Sequence, residues 1–100
     1  MPGIKFTLLK SSDKITLVLV EMSERSVVPE HNHPHEQMSV FLKRSADFES
    51  DSGVNRVKEG ETYFIAGNGK HKVRNPSKGG ATFLDILSPP RENYLAKAGD

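Results

Sequence analysis

The sequence predicts an all-β protein, a sandwich or barrel of roughly eight to ten short strands. Three observations predict it. Turn-forming residues are spread along the whole chain rather than gathered in linkers. The stretches between them are short and rich in β-branched and aromatic residues. No long segment shows convincing helical periodicity. The 100 residues make one domain, 1–100, with an ordered core over about 3–95. Closure matters for so small an all-β chain, because open strand edges invite aggregation.

Each element has its own signal. Ile4–Leu9 is apolar and rich in β-formers, and Lys10-Ser11-Ser12-Asp13 breaks it. Ile15–Val20 is uninterrupted and β-branched, which suits a strand buried on both faces. Ser23-Glu24-Arg25 turns the chain, and Pro29 keeps Ser26-Val27-Val28 extended. Met38–Leu42 is the next strand. Asp47–Asp51 and Val54–Lys58 flank Ser52-Gly53 as a hairpin. Thr62–Ala66 follows with an aromatic centre; Tyr63 and Phe64 must face opposite ways, and Phe64 is expected in the core. Gly67-Asn68-Gly69 needs a positive φ, which glycine supplies without strain. His71–Asn75 and Ala81–Leu87 are the last strands; Lys70-His71-Lys72 reads as a solvated basic loop around a ligand. Met38 and Val40 share a face that can line a pocket. Beyond Pro89-Pro90, Arg91–Ala96 is expected to form one helical turn.

Composition removes several function classes. Cysteine is absent, so disulfides, thiolate catalysis and Cys-type metal sites are excluded. The net charge is +1 with both signs interspersed, and there is no tryptophan. No basic stripe or stacking platform points to nucleic acid. No apolar run approaches the roughly 20 residues of a membrane span. With no export signal and no cysteine, a cytoplasmic location is expected.

The histidines carry the chemistry. Three of the four lie in His31-Asn32-His33-Pro34-His35, and the fourth is His71. In an extended strand, residues i and i+2 share a face, with Cα atoms roughly 6.5 Å apart. Two imidazoles at that spacing can converge on one ion at about 2.1 Å each. His31 and His33 form such a clamp, and His71 would close it from another strand. A bend after His33, imposed by Pro34, leaves the choice of a further ligand open among His35, Glu36 and Gln37.

The pattern resembles the small single-domain branch of the cupin superfamily. Its first signature is matched by His31-x-His33, then Pro34-His35-Glu36, then Gln37. Its second is matched at Gly60, His71 and Asn75, with Ala66 in place of a proline and Asn68 in place of a glycine. Arg44 stands where the first signature has glycine, which makes that turn unusual. The resemblance implies a β-barrel or jelly roll with one divalent transition metal ion (Ni, Zn, Fe, Mn or Co) in its mouth. It carries the ligands over as His31, His33, Gln37 and His71, with His35 and Glu36 outside the shell. Small cupins often dimerise through edge strands, so the resemblance also implies a homodimer.

The stretch from Asp85 to Leu95 is similar to the ending of the pectin-degradation cupins of the KdgF type. Those enzymes convert 4,5-unsaturated monouronates to the linear keto form. In that family an Asp, an aromatic and an Arg surround the substrate; Asp85 and Arg91 match, and Leu87 stands where the aromatic would be. Arg91 would clamp a carboxylate, and Asp85, set between Leu84 and Ile86, would serve as general acid or base. A structural Asp85–Arg91 pair is the plainer alternative. The resemblance thus implies a metal-dependent cupin isomerising or ketonising a sugar acid, its partner a carboxylate-bearing small molecule. Its rivals are an Fe-dependent cupin dioxygenase and a non-catalytic cupin that binds a small ligand.

Overall fold

The computed structural model describes residues 2–76 and 78–88. The helical turn expected over Arg91–Ala96, and Arg91 itself, lie outside the described residues. Within them the chain is all strand and turn: β1 (Ile4–Ser11), β2 (Thr16–Met22), β3 (Val27–His31), β4 (Glu36–Lys43), β5 (Ser45–Ser50), β6 (Gly53–Lys58), β7 (Thr62–Ile65), β8 (His71–Arg74) and β9 (Ala81–Ser88). They form a five-stranded sheet, β1-β2-β9-β4-β7, facing a four-stranded sheet, β3-β8-β5-β6. Every pairing is antiparallel. Among the described residues there is no helix long and apolar enough to cross a membrane.

Alternation places the core. Along β9, Ala81, Phe83, Asp85 and Leu87 are buried while their neighbours are half-buried, as the two-residue period of a pleated strand requires. The inner rows bring Phe41 and Phe83 into register, their rings stacked at 4.7 Å. Phe48 meets both edge-on at 5.8 Å from the opposite sheet. Each buried ring is worth roughly 3 kcal/mol of transfer free energy, and each ring pair about 1 kcal/mol more.

Several expectations about faces need correcting. β2 is buried on one face only: Val18, Val20 and Met22 face the core, Leu17 and Leu19 are half-buried, and Glu21 is exposed. Its β-branched run reflects a central place in the sheet, not cover on both sides. Phe64 is 52% exposed, whereas Tyr63 packs inward on Phe48 at 4.7 Å. Met38 is 50% exposed and lines no interior pocket, because the inner face of β4 belongs to Gln37, Ser39 and Phe41. Lys72 lies within β8 rather than in a loop.

The turns also differ in detail. Asn68, not its flanking glycines, takes the positive φ of 64°, and asparagine is among the residues that tolerate it. Arg44 does the same at φ 57°, so the left-handed turn survives without glycine. Its Nη1 donates to Gly80 O at 3.3 Å. Asn75 is buried and ties two turns together, donating from Nδ2 to Ser23 O at 3.0 Å and Gly79 O at 2.8 Å. On β5, Asp47 is bound by Arg56 at 2.8 Å, and that hydrogen bond, then the charge, raises the Arg56 pKa.

Candidate metal centre

The register of the small sheet builds the site. β3 pairs with β8 so that His31 lies opposite His71, their ring centroids 4.1 Å apart. His33 follows two residues later, outside the strand, in the bend that Pro34 and His35 complete. Its ring lies 5.6 Å from His31 and 5.1 Å from His71. The bend is held against the β7–β8 loop, where Asn68 N donates to His33 O at 2.7 Å. Gly67 is needed there: a Cβ on it would come within 2.8 Å of Pro34 O.

The three rings share one hydrogen-bonding scheme. Nδ1 of His31 lies 2.8 Å from Pro29 O, Nδ1 of His33 lies 3.2 Å from His35 O, and Nδ1 of His71 lies 2.9 Å from Gly69 O. A carbonyl oxygen only accepts, so each Nδ1 carries the proton. Each ring is thereby held in the tautomer whose Nε2 offers a lone pair, the usual way a metal-ligating histidine is oriented. One ring nitrogen from each of the three lies within 4.8 Å of the others, and His33 and His71 are buried. Two nitrogens bound to one ion at about 2.1 Å are at most about 4.2 Å apart, so a small ring rotation closes the set. The donor set therefore fits a divalent transition ion.

Gln37, 5% exposed, projects inward from the second position of β4, just beyond the bend. Glu36, next to it, is exposed on the outer face. His35 is half-buried, 5.3 Å ring to ring from His33, and sends its carbonyl rather than its ring to the cluster. Asp85 is on the inner face and 6% exposed, opposite Ser39. Ser39, which the sequence reading passed over, is fully buried and joins the polar groups: Gln37 Nε2 donates to Ser39 Oγ at 3.2 Å, and Ser39 Oγ donates to Asp85 Oδ1 at 2.7 Å. Its signal in the sequence is only that it shares a strand face with Gln37. Leu87, opposite Gln37, is buried and apolar.

A two-sheet antiparallel jelly roll with three clustered imidazoles defines a small β-protein whose histidines could hold one ion. The chain belongs to the cupin domain family, whose model matches residues 18–87. No curated protein sequence matches the chain. Among solved structures it is similar to KdgF from Halomonas sp., with a TM-score of 0.86, 19% identity, and coverage of 93% of this chain and 86% of that one. A RmlC-like cupin from Shewanella frigidimarina superposes with a TM-score of 0.85 at 22% identity, over 92% and 81% of the two chains. A predicted oxalate decarboxylase from Thermotoga maritima gives 0.78 at 16% identity, over 85% and 79%.

Proposed function

We propose that the chain is a metal-dependent cupin enzyme acting on a small oxygenated acid, with isomerisation or ketonisation of an unsaturated uronate as its reaction. The observation that carries this reading is the shared tautomer of His31, His33 and His71, each Nδ1–H committed to a backbone carbonyl. In this reading those three and Gln37 hold one divalent ion. When bound, an ion with only neutral ligands keeps its full charge and polarises the substrate's ring or hydroxyl oxygen.

Conversion of the cyclic unsaturated uronate to its linear keto form breaks the bond between the anomeric carbon and the ring oxygen as the anomeric hydroxyl gives up its proton and becomes an aldehyde. The enolate left at C5 becomes a ketone as C4 takes up a proton, so one proton leaves, one is added, and no redox co-substrate is required. Asp85 is the proton carrier, a carboxylate buried on the inner wall with one oxygen held by Ser39. Arg91, outside the described residues, is assigned the substrate carboxylate by the sequence pattern alone. Leu87 supplies an apolar wall where KdgF-type cupins have an aromatic.

The reading includes a homodimer, on a sheet face rather than an edge. The outer face of the five-stranded sheet carries two apolar rows, Leu17–Ile86–Met38–Phe64 and Leu19–Leu84–Val40. Exposed Glu36 bounds them at one end, and exposed Lys5, Glu21 and Lys43 at the other. A twofold axis running across the strands sets Glu36 of one protomer towards Lys43 of its partner. An apolar centre inside a charged rim is the anatomy of a stable interface.

The test is turnover of a 4,5-unsaturated monouronate followed by NMR. The metal-loaded chain is expected to convert it, and Asp85→Asn to lose about 100-fold or more in rate with metal content retained. Equal rates in the variant would remove Asp85 from the chemistry. Oxygen consumption dependent on Fe(II) would instead mark a dioxygenase, and tight ligand binding without turnover a non-catalytic cupin.

A further inference from the structure

We propose that Ser39 is a positioning residue: its bond to Asp85 fixes which end of the Gln37 amide is presented as a ligand. The proposal rests on the reading of Gln37 as the fourth ligand and goes beyond it, giving a task to a residue that ligates nothing. Ser39 and Asp85 are register partners on β4 and β9, and Gln37 shares the inner face of β4 with Ser39. The three groups are therefore held together by the sheet itself.

The hydrogen bonds have only one consistent direction. A carboxylate accepts and does not donate. Ser39 has one O–H, and the 2.7 Å contact to Asp85 Oδ1 uses it. Ser39 Oγ then has only lone pairs to offer, so the 3.2 Å contact with Gln37 must be made by an amide N–H. Nε2 of Gln37 is thereby turned to Ser39 and Oε1 is turned away from it. Only Oε1 can ligate an ion, since the amide nitrogen has no lone pair to give. With the amide reversed, two N–H groups would replace the ligand oxygen.

The same polarity explains why residue 37 is glutamine. A glutamate there would meet the lone pairs of Ser39, whose single proton is committed to Asp85. It would also put a second carboxylate beside the first in a buried row, and like charges so placed disfavour each other's ionised forms. Glutamine supplies the donor that the Asp85–Ser39 pair leaves room for, and still offers an oxygen.

Isothermal titration of Ni(II) into the full chain tests this, with Ser39→Ala, Gln37→Glu and the double variant alongside. Ser39→Ala is expected to melt cooperatively without metal and to bind Ni(II) about tenfold or more weakly, as residues that orient ligands do. In the Gln37→Glu background the same change is expected to alter affinity by less than about twofold, because a carboxylate presents oxygen either way round. If Ser39→Ala does not fold, Ser39→Cys carries the comparison, being close in size with only a weak donor. Equal losses in both backgrounds would show a merely structural role and overturn the proposal, as would unchanged affinity in Ser39→Ala. Failure of the underlying metal reading is distinguishable: the unaltered chain then takes up no Ni(II), and the Ser39 proposal falls with it.

Discussion

His31 and His71, far apart in sequence, are direct register partners across β3 and β8, with ring centroids 4.1 Å apart. The site is thus a property of strand pairing rather than of a local motif. One residue of slippage in that pairing would send one ring to the other face. Backbone carbonyls of Pro29 and Gly69 then set both tautomers, so the ligand geometry is built largely from main chain.

The β7–β8 loop, which leads into His71 and packs on the bend that carries His33, is expected to respond to Gly67→Ala. The added Cβ would meet a backbone atom, Pro34 O, at 2.8 Å, and backbone cannot move aside cheaply. The bend holding His33 must shift, and Ni(II) affinity is expected to fall about three- to tenfold. Titration calorimetry reads this directly. Unchanged affinity would show that the two loops position the ligands independently.

Arg44 offers a stability test in the reverse of the usual order. At φ 57° a residue with a Cβ is strained by roughly 1–2 kcal/mol, more than the roughly 0.5–1 kcal/mol of extra chain entropy that glycine loses on folding. Arg44→Gly is expected to be more stable than Arg44→Ala by about 1 kcal/mol, measured by urea unfolding. An alanine variant more stable than the glycine variant would mean that the turn relaxes to negative φ.

The outer sheet face is expected to decide assembly. Met38 and Phe64 are cross-strand partners, 50% and 52% exposed, at the centre and edge of the apolar rows. Met38→Lys with Phe64→Lys should yield a monomer by light scattering at concentrations where the unaltered chain is a dimer, with Ni(II) binding preserved. A monomeric unaltered chain would contradict the interface.

How much of this was legible in the sequence follows from what each signal depends on. Strand positions rest on local pattern, and the fold bears that pattern out. His31 and His33 do lie close together, but His33 reaches the cluster from the bend after β3 and not from the face of an extended strand. The faces of Tyr63, Phe64 and Met38 depend on parity, and parity is set by which partner strand supplies the core. Once Gln37 faces inward, Ser39 and Phe41 must too, and Met38 must point out. The positive φ of Asn68 was misassigned to glycine because close approach to Pro34, not backbone freedom, is what Gly67 provides. Ser39 could not be singled out without the β4–β9 register, since its partner Asp85 lies on a different strand.

Metal content of the purified chain, measured by elemental analysis beside His71→Ala, bears most directly on whether three imidazoles meet at one ion. About one equivalent of a divalent transition metal in the unaltered protein, and little or none in a folded His71→Ala, is the expected result. Metal absent from both, or retained equally by the variant, would contradict a centre built on His31, His33 and His71.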